Sequence, residues 1–598
     1  MLDSILTVAF AVVALTTSLL LASGSRVVAR PRLRTSASGT ILALGAVAAV
    51  ATGTAAVVIL AGLIAAGVRA APVRWSTTGA LFLASLLALL AVYAVVLVRA
   101  TIALAGGPIG FALGLVLLGL ELGAMGLIAA AAFEMADALC SDPRLSPGAE
   151  RPEAPARWPV VCLQVPTYNE PPELVIETIR SLAALDYPAL RIQVIDNNTT
   201  DERLWQPVEE TCLELGLAGT RIAFVHLPEW PGYKAGALNW GRTHLDPDVE
   251  IVGVVDADYV VEPDWLRETV PHFSDPVVAF VQTPQDYRAW ESSGFYRACY
   301  VGFAYFFRVG MVSRAHRNAI IFAGTMGLIR RATLDAVGGW DERIITEDAE
   351  ISLRVLARGE RAVYVERPFG QGIMPLTYEG LRKQRFRWAF GGIQILRRHW
   401  RTILGRRSGL TLGQRYDHLV GGLWWFNDAL TFGFSLFVLA TAIGIAAGRP
   451  FVVQRLTALG LVLPVALIVL NLVRYVWALR RATGVGPALA LAALRVNLSL
   501  SWVIALACFR ALVQDRGVFL RTPKFRGATT IRELRLVAVE VVLASTAVLL
   551  GLVLVVRSGV GVPTATVLGL LAWMALIYGS AASFALGDPT RAPIGEAL

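Results

Sequence analysis

Long apolar runs occupy both ends of the chain, and a block with mixed polarity lies between them. Runs of membrane-spanning length cover about residues 2–23, 40–68, 77–99 and 107–133. Roughly 20 apolar residues suffice to cross a hydrocarbon layer. The first run lacks a basic start and a small-residue cleavage site, so it reads as an anchor rather than a removed signal. A Pro-rich linker, SDPRLSPGAERPEAPARWP, spans 141–159, and residues 160–400 have the composition of a soluble domain. Apolar runs return at about 418–447, 455–479, 486–513, 534–557 and 563–587.

Inside the soluble block, short β-rich runs alternate with helical patterns. VVCLQV (160–165), RIQVI (191–195), RIAFVHL (221–227), IVGVV (251–255) and VVAFVQ (277–282) predict strands. A helix is expected to start near Pro171 and Pro172, with Asn169 as its cap. The alternation predicts an α/β, mostly parallel sheet whose ligands sit at the carboxyl ends of strands.

Composition fits a polytopic membrane protein with a soluble part. The 598 residues are 55% hydrophobic and 17% charged, with mean hydropathy +0.59. The net charge of +9 comes with arginine clusters beside apolar runs, which fits cytosolic loops and lipid contact better than nucleic acid. Five cysteines without CxxC pairing and six scattered histidines indicate neither a disulfide framework nor a zinc site. The loop 24–36, with Arg26, Arg30, Arg32 and Arg34, should be cytosolic. Four spans ahead of a cytosolic block would place it outside. Either the loop breaks the rule or one N-terminal run does not cross, and 107–133, which carries Glu121, is a candidate. We favour four spans.

Each predicted strand end carries polar residues. PTYNE (166–170) follows the first, Asp196 closes the second, and Asp256-Ala257-Asp258 follows the fourth. Two carboxylates just past a buried strand suit Mg²⁺ or Mn²⁺ shared with substrate phosphates, although the same pair could be a solvated turn. Lys234, in WPGYKAGALNWG, sits in a glycine-flanked turn where it could meet a phosphate or a carboxylate. In IITEDAEISLRVLARG, Thr346 caps a predicted helix with Glu347 and Asp348 in its first turn. Asp348 could serve there as a general base or only complement the helix dipole. In LRKQRFRWAFGGIQILRRHW, Gln384, Arg387 and Trp388 share one helix face, and Phe386, Phe390 and Ile393 line another. Acidic pairs, a base and a cationic aromatic helix together suit displacement of a nucleoside diphosphate from a sugar.

In the order PTYNE, Asp196, KAG, DAD, FAGT, TED, QRFRW and FLRTPK (519–524), the sequence resembles the membrane-integrated family-2 glycosyltransferases, such as cellulose, curdlan, chitin and hyaluronan synthases. The resemblance covers roughly 160–400 plus 519–524. It implies a GT-A-type α/β domain inserted between two sets of transmembrane helices. It also implies that Thr167, Tyr168, Glu170 and Asp196 hold uridine. Lys234, Asp256 and Asp258 would handle the diphosphate, with Asp258 on the metal. Phe322, Gly324 and Thr325 would line the acceptor pocket. Asp348, beside Glu347, would be the base. Gln384 and Arg387 would meet the pyrophosphate and Trp388 would stack on the acceptor sugar. Thr522 and Lys524 would belong to a gating loop (513–530) that closes over the nucleotide. A cytosolic gating loop requires that 486–513 not cross, and Arg495, Asn497 and Arg510 fit an interfacial helix there. Eight spans result, with both termini cytosolic.

Ala323, Met326 and Arg521 depart from the family's usual residues, and the cyclic-di-GMP sensor of bacterial cellulose synthase is expected to be absent. These features bear on acceptor and product more than on chemistry. The expected protein is a processive, inverting enzyme of the plasma membrane. Its catalytic domain would be cytosolic, and it would elongate a β-glucan from a UDP-sugar, with UDP-glucose the first choice. It would pass the chain through its own helices, with Trp424, Trp425, Asn427 and Asp428 as the candidate wall. A non-processive enzyme acting on a lipid or short acceptor would share every donor motif. A transporter with a regulatory nucleotide domain is disfavoured by the absence of a Walker A motif. Partners beyond donor, acceptor and bilayer stay open.

Overall fold

The computed structural model describes residues 2–22, 31–103, 107–143, 152–375, 377–448, 459–515, 517, 535–558 and 561–586. The chain divides into two compact units. One is helical (residues 1–145, 426–505 and 529–587), and the other holds the sheet (146–425 with 506–528 and 588–598).

Among the described residues the sheet unit has ten strands. They are β1 (Val160–Thr167), β2 (Leu190–Asn197), β3 (Ile222–Leu227), β4 (Val249–Val254), β5 (Val260–Val261), β6 (Val278–Gln282), β7 (Asp286–Tyr287), β8 (Gly327–Arg330), β9 (Arg361–Tyr364) and β10 (Gly370–Gly372). Seven of them form one sheet in the order β3-β2-β1-β4-β8-β6-β9, and β5-β10-β7 form a second. All five strands predicted from the pattern are present. β8 was not foreseen, and it pairs antiparallel with both β4 and β6. Its register sets Gly327 opposite Val254 and Gln282, so the FAGT segment ahead of β8 lies beside the DAD segment after β4. One antiparallel strand thus carries a distant segment to the edge where β1, β2 and β4 end.

The core beneath this edge is apolar from both faces of the sheet. Val161, Leu163, Val165, Ile192, Val194, Ile251 and Leu328 are buried with Val175, Ile179 and Leu182 of the helix Pro172–Ala183. That near-continuous apolar character is what parallel strands covered on both faces require. Pro171, not Asn169, is the N-cap of that helix. Asn169 instead adopts φ +50°, and its N–H donates to Thr199 Oγ1 at 2.9 Å.

In the helical unit, the run expected to cross once over 40–68 is two helices, Pro31–Thr52 and Ala56–Ala70. They lie antiparallel: Ser38 Oγ donates to Ala65 O, and a Cβ on Gly45 would overlap that of Ala61. Small residues let the two backbones approach closely. The Arg34 guanidinium donates to the carbonyls of Ala71, Pro72, Val73 and Trp75. Arg74 Nη2 and Trp75 Nε1 donate to the buried Asp137 carboxylate at 2.6 and 2.8 Å. Arg34 and the end of the helix Gly107–Leu139 therefore share one end of this unit. The reversal sets the start of Pro31–Thr52 and the end of Ala56–Ala70 at one end of this unit.

Eight helices among the described residues are long and apolar enough to cross a membrane, which marks a multi-pass membrane protein. The run 487–513 is among them by length and composition, but it is two helices, Pro487–Ser499 and Ser501–Val513, meeting at Leu500. Each 13-residue piece extends about 20 Å, short of a ~30 Å hydrocarbon core.

Gly241 lies where the helix Tyr233–Thr243 crosses β1 and β2. A Cβ there would come within 2.4–2.6 Å of Gln164, Gln193 and Ile195, which are buried beside the 2.9 Å Gln164–Gln193 hydrogen bond. Gly241→Ala should destabilise the sheet unit by about 1–3 kcal/mol through overpacking, read as a lowered unfolding midpoint of the purified protein. An unchanged midpoint would show that the contact relaxes freely.

Candidate active site

The cluster at the sheet edge is built around Lys234. Gly232 (φ +84°) turns the WPGYKAG loop and is the N-cap of the helix that carries Lys234. Lys234 Nζ donates to Asp256 Oδ1 at 2.5 Å and to Gly324 O at 2.8 Å. Asp256 N donates to Thr325 Oγ1 at 3.0 Å. A single lysine thus ties KAG, DAD and FAGT together, with its ammonium on the Asp256 carboxylate.

Asp348 enters from the helix Glu347–Leu356. Gly324 has φ +78°, and a Cβ there would stand 2.3 Å from Asp348 Oδ2, so the loop passes directly over this carboxylate. Ala349 N donates to Asp348 Oδ1 at 2.8 Å, the kind of helix N-terminal contact that favours an anion. Thr346 occupies the N-cap position, but its side chain makes no capping bond, contrary to expectation. Its hydroxyl packs against Gly391, where a Cβ would come within 2.2 Å of Thr346 Oγ1. That glycine brings the long helix Tyr378–Leu404 against the start of the Asp348 helix.

Electrostatics follow from this crowding. Burial pushes Glu347 up to about 8, and the charge of Asp348 adds to the effect. Burial also raises Asp348, against the pull of Lys234 and the Ala349 N–H. Burial opposes the charge on Lys234, yet Asp256, Glu347 and Asp348 hold its pKa above the ordinary value. Burial lowers Arg387, while Glu347, Asp348 and Asp256 favour its charge.

The other expected residues fall into three groups. Gln384, Arg387 and Trp388 are half-buried on the long helix, and Gln384 Oε1 is a buried acceptor without a hydrogen-bond partner among the described residues. Trp388 meets Phe303 edge-on at 5.7 Å, and the Arg385 guanidinium lies over both rings, 4.5 Å from Phe303 and 4.7 Å from Trp388. Phe390 and Ile393 are buried on the opposite face, as the pattern predicts. Tyr168 is exposed and Glu170 half-buried, whereas Asp196 is buried with both oxygens engaged. Thr167 and Thr199 donate to its Oδ1 at 2.9 and 2.7 Å, and His226 Nδ1 lies 2.7 Å from its Oδ2. Thr167, Glu170, Asp196, Thr199, Trp205 and Phe224 line a narrow cleft there. Thr522, Lys524 and Arg521 lie outside the described residues.

Two acceptor expectations change. Phe322 is fully buried against Phe280 and Trp340, and Thr325 is fully buried with its hydroxyl on Asp256 N. They brace the loop from beneath, and Ala323 and Gly324 form its outer course. Sequence reasoning missed the residues that hold that loop: Gln282 Oε1 accepts from Ala323 N at 2.8 Å, and Ser352 Oγ accepts from Phe322 N at 2.6 Å. It also missed Gln394, which accepts from Ile345 N and donates to the carbonyls of Arg343 and Asp515. Nothing distinguishes a buried Gln or Ser from a surface one in sequence except its place in an apolar run, as at Gln282.

Among the described residues no group of three or more His, Cys, Asp and Glu side chains forms a cage for a metal ion. Asp256 and the buried Asp258 nevertheless offer two carboxylates past β4, a donor set that suits a hard cation completing its shell with diphosphate oxygens.

The sheet order and the helices that flank it define a GT-A-type fold. Residues 159–391 match the family described as glycosyltransferase like family 2, and the chain carries a domain of that family. It is 29% identical over 326 residues to a probable glucomannan 4-beta-mannosyltransferase 2 of Oryza sativa subsp. japonica, covering 53% of this chain and 55% of the relative. It is 30% identical over 266 residues to glucomannan 4-beta-mannosyltransferase 7 of Arabidopsis thaliana, covering 44% of this chain and 47% of that protein. The chain thus spans about half the length of these curated relatives. Among solved structures it is similar to the mannosyltransferase PcManGT of Pyrobaculum calidifontis, described in complex with GDP-Man and Mn²⁺. That match has 20% identity and TM-score 0.43, and it covers 64% of this chain and 97% of that one.

Gly324→Ala should strain a left-handed position and press on Asp348. Displacing a catalytic group by about 1 Å can cost on the order of 10²-fold in rate. A loss of that order in sugar transfer is expected, with nucleotide binding retained in a calorimetric titration. Wild-type turnover would show that the loop and Asp348 adjust independently.

Proposed function

We propose that this protein transfers a hexosyl group from a nucleoside-diphosphate sugar to the end of a growing β-glycan, with inversion at the anomeric carbon. The observation that carries the reading is the meeting of Lys234, Asp256, Gly324 and Asp348 at one sheet edge. In this reading Asp348 takes the proton from the acceptor hydroxyl. The hydroxyl oxygen attacks the anomeric carbon opposite the diphosphate, and the sugar–phosphate bond breaks as the new bond forms. Inversion follows from a single direct displacement. Lys234 and Arg387 supply positive charge toward the departing diphosphate, and Gln384 lies on the same helix face as Arg387. Thr167, Tyr168, Glu170 and Asp196 are assigned to the nucleoside, Asp196 as a support for its neighbours. Glu347, which burial raises to about 8, lies beside Asp348, and the role of base is assigned to Asp348.

Asp258, with Asp256, would hold one Mg²⁺ or Mn²⁺, which when bound neutralises charge on the leaving diphosphate. Trp388 is assigned to the acceptor sugar, and Gly324 to the acceptor side of the base. Thr522 and Lys524 are assigned to closure over the nucleotide.

The relatives redirect the choice of sugar. Their names specify 4-beta-mannosyl transfer, so we take mannose as the transferred sugar and GDP-mannose as the first donor to test, with UDP-glucose as the competing reading. We propose a processive enzyme, multi-pass in the plasma membrane, with its catalytic domain cytosolic. Placing the end with Arg34 on the cytosolic side satisfies the positive-inside rule. The candidate wall at Trp424 and Trp425 gains little support within the sheet unit. The Trp425 indole packs over Gly392, and its carbonyl accepts from Cys508 Sγ.

Removing a general base typically costs about 10²–10⁴-fold in rate. Asp348→Asn should lose transfer by that order while nucleotide binding stays near wild type; retained turnover would reassign the base. Asp258→Ala, or chelation of the wild type, should abolish transfer, and Mg²⁺ or Mn²⁺ should restore the chelated enzyme. Full activity in excess chelator would dismiss the metal. In proteoliposomes, Trp388→Ala should shorten the polymer more than it slows donor hydrolysis. A product limited to a lipid with one or a few sugars would favour the lipid-acceptor reading.

A further inference from the structure

Ala323, on the outer course of the loop ahead of β8, has its N–H and its carbonyl each held by a glutamine. Gln282 is fully buried, and its Oε1 accepts from Ala323 N at 2.8 Å. Its Nε2 donates to the carbonyls of Thr283 and Thr325 at 2.8 and 2.9 Å. Gln285 is half-buried, and its Nε2 donates to Ala323 O at 2.6 Å. The Tyr287 hydroxyl donates to Gln285 Oε1 at 3.1 Å, which sets the orientation of the amide. Tyr287 and Phe303 are both buried, with their rings 5.1 Å apart, and Phe303 meets Trp388 edge-on. An unbroken line of contacts thus runs from Trp388 through Phe303, Tyr287 and Gln285 to Ala323. The next residue, Gly324, gives its carbonyl to Lys234 and passes over Asp348.

Stability alone does not call for Gln285. Gln282 already anchors the loop from within the core, and Ala323 is half-buried, so water could serve its carbonyl at little net cost. Water cannot hold that carbonyl at one position, and transfer depends on position: a displacement of about 1 Å can cost on the order of 10²-fold in rate. We propose that Gln285 is a positioning residue for sugar transfer. Braced by Tyr287, it sets the spacing between the acceptor seat at Trp388 and the base Asp348. The proposal rests on the roles assigned above to those two residues. Gln285 acts through Ala323 and Gly324 rather than on the sugar.

The test uses the full chain in proteoliposomes with GDP-mannose, or with UDP-glucose if that is the donor used. Gln285→Met keeps the length of the side chain and removes both hydrogen bonds. Its kcat for transfer should fall by about 10- to 100-fold. Its KM for the donor, its affinity for GDP or UDP and its unfolding midpoint should stay near wild type. Tyr287→Phe keeps the ring on Phe303 and should lose less, in the same direction. Because Tyr287 acts through Gln285, the double variant should be no slower than Gln285→Met alone. Gln285→Glu adds a pH readout. Ionised, its carboxylate cannot donate to Ala323 O; protonated, it can donate there and accept from Tyr287 as the amide does. Its rate relative to wild type should therefore rise as pH falls toward the carboxyl range, about 4–5. Three results would overturn the proposal: wild-type kcat in Gln285→Met, a loss that tracks a lowered unfolding midpoint, or a Gln285→Glu ratio flat with pH. Asp348→Asn, measured alongside, separates the two levels. If it keeps wild-type turnover, the base and this proposal fall together; if it loses transfer and Gln285→Met does not, this proposal alone falls.

Discussion

Three carboxylates that share one partly buried edge must be neutralised, and the site's geometry turns on how that is done. Asp256, Glu347 and Asp348 bring three negative charges when ionised, against one each on Lys234 and Arg387. One negative charge is left over at a place where burial makes charge costly. Burial raises Glu347 to about 8, and the charge of Asp348 adds to that rise. In the proposed reading, Asp256 and Asp258 would hold a divalent cation, and Lys234 and Arg387 would face the diphosphate oxygens.

Backbone proximity makes this arrangement possible. At Gly324 and Gly391 a Cβ would intrude on the start of the Asp348 helix, at one beside Asp348 and at the other beside Thr346. The Asp348 helix is clamped from the FAGT loop on one side and from the QRFRW helix on the other. Glu350, fully buried two residues beyond Asp348, pairs with Arg354 of its own helix, and its Oε1 lies 2.8 Å from His399 Nε2 of the long helix.

Much of the sheet unit was legible in the sequence because strands covered on both faces write themselves as apolar runs. All five such runs became strands, and Asp196, Asp256 and Asp258 fall at or just past strand ends as expected. The antiparallel β8 was not legible. GLIR is short and resembles any loop, and its partner strands are separated from it by dozens of residues. The depth of Phe322 and Thr325 was hidden for the same reason, since a motif's spacing does not say which side chains face the ligand and which support it. In the helical unit, composition could not separate one crossing from a hairpin. Residues 40–68 are apolar throughout, and only a short break around Gly53 (φ +66°), with Arg34 reaching to the 71–75 carbonyls, marks the reversal. The donor sugar was illegible because it depends on pocket shape at sub-ångström scale, and the relatives' names moved that reading from glucose toward mannose.

The central claim is a single displacement driven by one carboxylate base. The most direct measurement is proton NMR of the first glycosidic bond that purified enzyme forms from an α-linked nucleoside-diphosphate mannose, or from UDP-glucose if that is the donor used. The account predicts an anomeric signal of the β configuration from the earliest turnovers. A product of α configuration would require a second displacement or a retaining mechanism, and would contradict the role given to Asp348.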